Sequence, residues 1–106
     1  MLERLAALSA AIAIAAGAFG AHRLTGKEAE WLRTGGLYQL VHAVAVLALA
    51  RHVALGPLWT LFAGATLFAA TLYAMAFGAP RWLGAITPIG GALMILGWLL
   101  LAWRLR

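Results

Sequence analysis

Four long apolar runs separated by short polar intervals divide the chain, at residues 5–21, 37–55, 58–79 and 83–103. Each is about seventeen residues or longer, near or above the length that carries a helix across a hydrocarbon layer of roughly 30 Å at ~1.5 Å per residue. The pattern predicts an all-α integral membrane protein, with four transmembrane helices forming one domain over residues 1–106. The first run sits at the short end of a span. It also fits a secretory signal peptide, with Arg4 as its charged end and Ala16-Gly17-Ala18 as the small-residue cleavage site. The retained helix is the preferred reading. On it, Ala13, Gly17 and Ala21 form one line and Ala16 and Gly20 the next, a small-xxx-small spacing that lets a neighbouring backbone approach.

The longest polar interval, residues 22–36, carries most of the charge. Thr25-Gly26-Lys27-Glu28 has the capping-box spacing. It predicts a short amphipathic helix over 26–34, lying on the membrane surface with Trp31 and Leu32 inward and ended by Gly35-Gly36. A plain solvated loop is the alternative. Gly56-Pro57 and Gly78-Ala79-Pro80-Arg81 mark the two later turns. The fourth run is Pro-broken at Thr87-Pro88-Ile89-Gly90-Gly91. Either a regular helix begins at Pro88, with Leu83 and Ile86 outside it, or a continuous helix kinks there. Pro88, Gly90, Gly91 and Gly97 are its expected packing positions.

Composition narrows the functional classes. Hydrophobic residues make up 65% of the 106 and charged residues 10%, too greasy for so small an aqueous core. The net charge of +5 comes from eight Lys and Arg scattered singly between the runs. That is the arrangement of cations that snorkel to headgroups, not of a nucleic-acid surface. With four spans both termini share a side, and the cations tie: Arg4, Arg51, Arg104 and Arg106 against Arg23, Lys27, Arg33 and Arg81. Lys/Arg bias therefore leaves orientation open. Without cysteine there is no disulfide, thiolate site or Cys nucleophile.

Candidate chemistry sits in Tyr38-Gln39-Leu40-Val41-His42, at the start of the second run. Lipid supplies no partners, so these side chains must find them in the bundle. If the second helix starts near residue 37, His42 lies roughly 8 Å below its start. Tyr73 then lies roughly 9 Å before the end of the third helix, with Thr87 at similar depth and His22 at the exit of the first. His22, Tyr38, Gln39, His42, Tyr73 and Thr87 are thus expected to cluster in the leaflet of the first loop. His42 is expected to bond Tyr73, Thr87 or a carbonyl freed near Pro88. Ser9, Thr60 and Thr66 fall in the other leaflet, and each is able to bond back to its own helix.

Two readings of the cluster compete. It glues the helices together, or it lines a pocket for a lipid headgroup, a quinone-like molecule or a small solute. His22 and His42 as paired metal or haem ligands form a weak signal, because no acidic or Cys partner lies in the spans. Glu3, Glu28 and Glu30 all lie outside the spans, so no Ser-His-acid set forms there. The expectation is a non-enzymatic protein with no catalytic residues, metal or cofactor. Its expected partners are membrane lipids, with a homo-oligomer or a membrane-complex subunit role left open. A minimal oligomeric transporter or channel is the alternative.

Ordered motifs run along nearly the whole chain. They are Gly17-Ala18-Phe19-Gly20-Ala21-His22, Thr34-Gly35 with Tyr38-Gln39 and His42-Ala43, Leu67-Phe68 with Leu72-Tyr73, and Leu83-Gly84 followed by Ile86-Thr87-Pro88-Ile89-Gly90-Gly91 and Gly97-Trp98. This set resembles the small four-helix membrane proteins of domain-of-unknown-function family 423, YgdD-like in bacteria and similar to transmembrane protein 256 of animals. The resemblance implies a four-span bacterial inner-membrane (plasma-membrane) protein and no particular reaction. One departure is that a position occupied by Ser in that pattern, before the Leu-Tyr pair, reads Ala69-Ala70-Thr71 here. The hydroxyl is displaced by a residue or two.

Overall fold

The computed structural model describes residues 1–105. Its helices are α1 (Leu2–Arg23), α2 (Gly26–Leu49), α3 (Leu55–Ala76) and α4 (Thr87–Arg104), with a 3₁₀ turn over Arg81–Ala85 leading into α4. All four are long and apolar enough to cross a membrane, the fourth counted with its 3₁₀ turn. The molecule measures 43 × 25 × 20 Å, and its long axis matches a bilayer of ~40–45 Å with its headgroups. Large side chains such as Leu8, Ile12, Val41, Val44, Ile95 and Leu99 face outward. Hydrocarbon is the solvent that tolerates them.

The helices pack in sequence order. α2 lies between α1 and α3, and α3 between α2 and α4, with α1 touching α3 slightly. Among the described residues, the backbones of α2 and α4 do not approach one another. The ends are tied as an antiparallel bundle requires. Glu3 meets Arg51 at 3.8 Å on the side of the termini, and Arg81 lies over the Trp31 ring at 5.9 Å on the other. Near the termini, all four helices share a core of Leu2, Ala6, Ala43, Val46, Leu58, Leu61 and Leu101.

The largest departure from the sequence expectation is in α2. No separate surface helix over 26–34 exists, because α2 runs unbroken through Gly35 and Gly36. Glycine costs a helix about 1 kcal/mol against alanine, but here its missing side chain is what lets the neighbours in. A Cβ on Gly35 would sit 2.8 Å from the Tyr73 ring, and one on Gly36 would sit 2.9 Å from the Ala13 carbonyl oxygen. The glycines are contact points for α3 and α1, and not a stop. Thr25 is the N-cap as expected, yet its side chain makes no capping bond. Gly26, at φ +65, turns the chain there.

α3 ends earlier than expected, at Ala76. Gly78 at φ +104 closes a Schellman turn, with the Gly78 N–H on the Met75 carbonyl and the Ala79 N–H on that of Ala74. The two readings of the fourth run resolve to a start at Thr87-Pro88, with Pro in the first turn where its missing N–H is harmless. Gly64 and Gly90 then form the tightest crossing of α3 and α4. A Cβ on Gly90 would lie 2.6 Å from the Phe68 nitrogen, and one on Gly64 would lie 2.8 Å from the Gly90 oxygen. Gly20 meets Leu32 and Gly97 meets Leu61 in the same way. Gly17 and Gly91 do not. A Cβ on either meets nothing within 4 Å, because the register turns both toward open space.

Candidate functional site

Gln39 stands at the middle of α2 and spans three helices. Its Nε2 donates to the Ser9 hydroxyl on α1 at 2.8 Å, and its Oε1 accepts from the Tyr73 hydroxyl on α3 at 2.6 Å. Both ends of the carboxamide are therefore bonded. Ser9 is able to bond back to its own helix. It meets Gln39 instead, because the continuous α2 brings residue 39 deeper into the bundle. Thr71 and Thr87 face each other across α3 and α4 at 2.6 Å, and each also reaches a carbonyl of its own turn. Thr71 is the displaced hydroxyl of the third helix.

His42 does not bond Tyr73, Thr87 or a carbonyl near Pro88. Those two side chains are taken up by Gln39 and Thr71, and His42 faces α4. Its Nδ1 lies 2.7 Å from the Tyr38 carbonyl oxygen, one turn back on α2. Its Nε2 lies 3.0 Å from the Trp98 indole nitrogen. An indole only donates and a carbonyl only accepts, so the pair selects one tautomer: Nδ1–H toward Tyr38, and a bare Nε2 accepting from Trp98. The imidazole in this arrangement is neutral.

The depth of the site also differs from expectation. With α2 beginning at Gly26, His42 lies roughly 24 Å along it, about midway between Arg33 and Arg51. His42 thus sits near the middle of its helix's apolar span, while Tyr73 and Thr87 lie within a turn of the first-loop ends of α3 and α4. His22 is exposed in the last turn of α1, far from His42, so the two share no ligand. Among the described residues, no three side chains of metal-binding type gather.

Tyr38, His42 and Trp98 line a groove of about 290 Å³ between α2 and α4, with Phe68 of α3 and with Gly91 and Met94 of α4. It exists because the α2 and α4 backbones stand apart while their long side chains meet. Tyr38 and Gly91 lie at its end nearer the first loop, and the His42–Trp98 pair closes the end nearer the termini. The walls are largely aromatic: the Tyr38 ring packs on Phe68 at 4.9 Å and on His42 at 6.4 Å, and Trp98 meets His42 edge-on. Tyr38 is 43% exposed, and its hydroxyl has no hydrogen-bond partner among the described residues.

Ser9, Phe68, Thr71 and Trp98 stand in the sequence as a hydroxyl, motif positions and an apolar-run indole, but the expected cluster does not include them. Trp98 carried a usable signal, since an indole N–H inside an apolar run needs an acceptor and His42 is one of few available.

The comparisons with known proteins agree with this architecture. The family described as "Protein of unknown function (DUF423)" matches residues 16–91. A UPF0382 membrane protein of Haemophilus influenzae is 40% identical, over 93% of this chain and 88% of its own length. A UPF0382 membrane protein of Staphylococcus epidermidis is also 40% identical, over 92% and 88%. The UPF0382 inner membrane protein YgdD of Escherichia coli K12 is 37% identical, over 91% and 82%. No solved structure matches. The chain, a four-span inner-membrane protein, belongs to the DUF423 family.

Proposed function

We propose that this protein is a non-enzymatic membrane component that holds a lipid or other small amphiphile in the groove between α2 and α4. The polar residues divide into two sets on this reading. Ser9, Gln39, Tyr73, Thr71 and Thr87 are spent on one another as ties between adjacent helices. Interhelical contacts of this kind average about 0.6 kcal/mol. The His42–Trp98 bond joins α2 and α4, whose backbones stand apart, and Tyr38 packs on Phe68 beside it, with a groove between them.

The observation that carries the proposal is that groove, lined by Tyr38, whose hydroxyl has no partner among the described residues, and by the bonded His42–Trp98 pair. At mid-membrane depth the molecules that reach it are amphiphiles with a substantial apolar part. Native mass spectrometry of protein extracted with its lipids tests this. The wild type is expected to carry a bound amphiphile that Gly91→Leu removes by filling the groove. Gly17→Leu, on an open face of α1, retains it. A wild type with nothing bound, or equal adducts on Gly91→Leu, would overturn the reading.

A further inference from the structure

The groove's chemistry says more than that an amphiphile enters it. We infer that its occupant is a neutral ring lipid bearing a carbonyl, of the quinone class, held with the ring against the aromatic walls and a ring carbonyl accepting from the Tyr38 hydroxyl. This rests on the groove being a binding site at all.

Three observations point to a ring and not to an ordinary acyl chain. The first is shape. Four aromatic rings from three helices, Tyr38 and His42 of α2, Phe68 of α3 and Trp98 of α4, line the groove, and a Cβ on Gly91 would meet nothing within 4 Å. Flat molecules stack in such slots with ring centres ~4.5–7 Å apart. The second is size. A cavity of about 150 Å³ accepts a benzene ring, so about 290 Å³ accommodates a substituted six-membered ring and the first part of a tail.

The third is polarity. Both His42 nitrogens and the Trp98 N–H are already engaged. Of the side chains that line the groove, Tyr38 is the one that keeps an unengaged hydroxyl among the described residues, and no charged side chain lines the space. An ionised headgroup would be uncompensated there. A neutral carbonyl is matched by a single donor. Tyr38 lies at the first-loop end, so the ligand's polar end points toward that surface while its tail leaves sideways into lipid. An acyl chain would use neither the hydroxyl nor the ring faces.

The test is equilibrium binding to the purified, detergent-solubilised protein of two probes: decylubiquinone, and oleoyl lysophosphatidylcholine as the acyl-chain comparison. Decylubiquinone is expected to bind the wild type. Its affinity should fall about tenfold in Tyr38→Phe, the scale of one lost hydrogen bond, and vanish in Gly91→Leu. Neither substitution breaks a contact of the fold, so thermal midpoints should not fall and misfolding is excluded as the cause. Decylubiquinone bound equally by Gly91→Leu, or unaffected by Tyr38→Phe, would overturn the assignment. If only the lysolipid binds in a Gly91-dependent way, the ring assignment fails while the amphiphile reading stands. If neither probe binds, both fail.

Discussion

Trp98 donates its indole N–H to Nε2 of His42 at 3.0 Å, joining two helices whose backbones never approach each other. In water such a bond would be one of many. In lipid neither group has another partner, so the pair both positions the α4 side chain and selects the state of the imidazole.

The tautomer is directly measurable. Nitrogen NMR of histidine-labelled protein in bilayers should show one histidine with a protonated Nδ1 and an unprotonated, hydrogen-bonded Nε2. In Trp98→Phe the Nε2 resonance should lose its hydrogen-bond shift. A singly protonated Nε2 would contradict the arrangement.

The same pair should show a measurable coupling. In a double-mutant cycle of His42→Ala and Trp98→Phe, unfolded in mixed micelles, we expect an interaction of about 0.6–1.7 kcal/mol, the range for polar contacts between membrane helices. Additive single effects would mean that the bond does not hold α4 in place.

Gln39 holds two bonds at once, and its replacement should exceed that of either partner. Gln39→Leu is expected to destabilise by about 1–2 kcal/mol, leaving the Tyr73 hydroxyl unpaired, while Ser9→Ala costs about half as much. Denaturant unfolding of the two variants checks the order.

The glycines separate into two classes that alanine substitution should distinguish. Gly90→Ala drives a methyl against the backbone of Gly64 and Phe68 and should cost about 3 kcal/mol or more, with helix shifts. Gly17→Ala and Gly91→Ala meet open space and should be neutral, or stabilising by up to ~1 kcal/mol through helix propensity. Thermal unfolding of the three variants decides it.

Continuity of α2 has its own signature. Amides from Gly35 to Tyr38 should exchange as slowly as those in the rest of the span, since their hydrogen bonds lie inside one helix. Fast exchange confined to Gly35 and Gly36 would restore the separate surface helix.

Membrane residence and the number of spans were legible in the sequence because both depend on local composition. A run such as residues 58–79 must lie in lipid whatever it touches, and its length sets whether it crosses. The polar side chains of the site were legible for a similar reason, since Gln39, His42 and Tyr73 stand out in apolar surroundings. Their pairing was not. Gly35 and Gly36 read as a helix stop from local propensity, yet the helix runs through them where Tyr73 and Ala13 pack too closely for any side chain. That one difference moved the start of α2 from residue 37 to Gly26, carried His42 from one leaflet toward mid-membrane, and gave Gln39 to Ser9 and His42 to Trp98. Local chemistry named the groups that needed partners. Which partner each found was decided by helix register, a property of the packed bundle that no single segment contains.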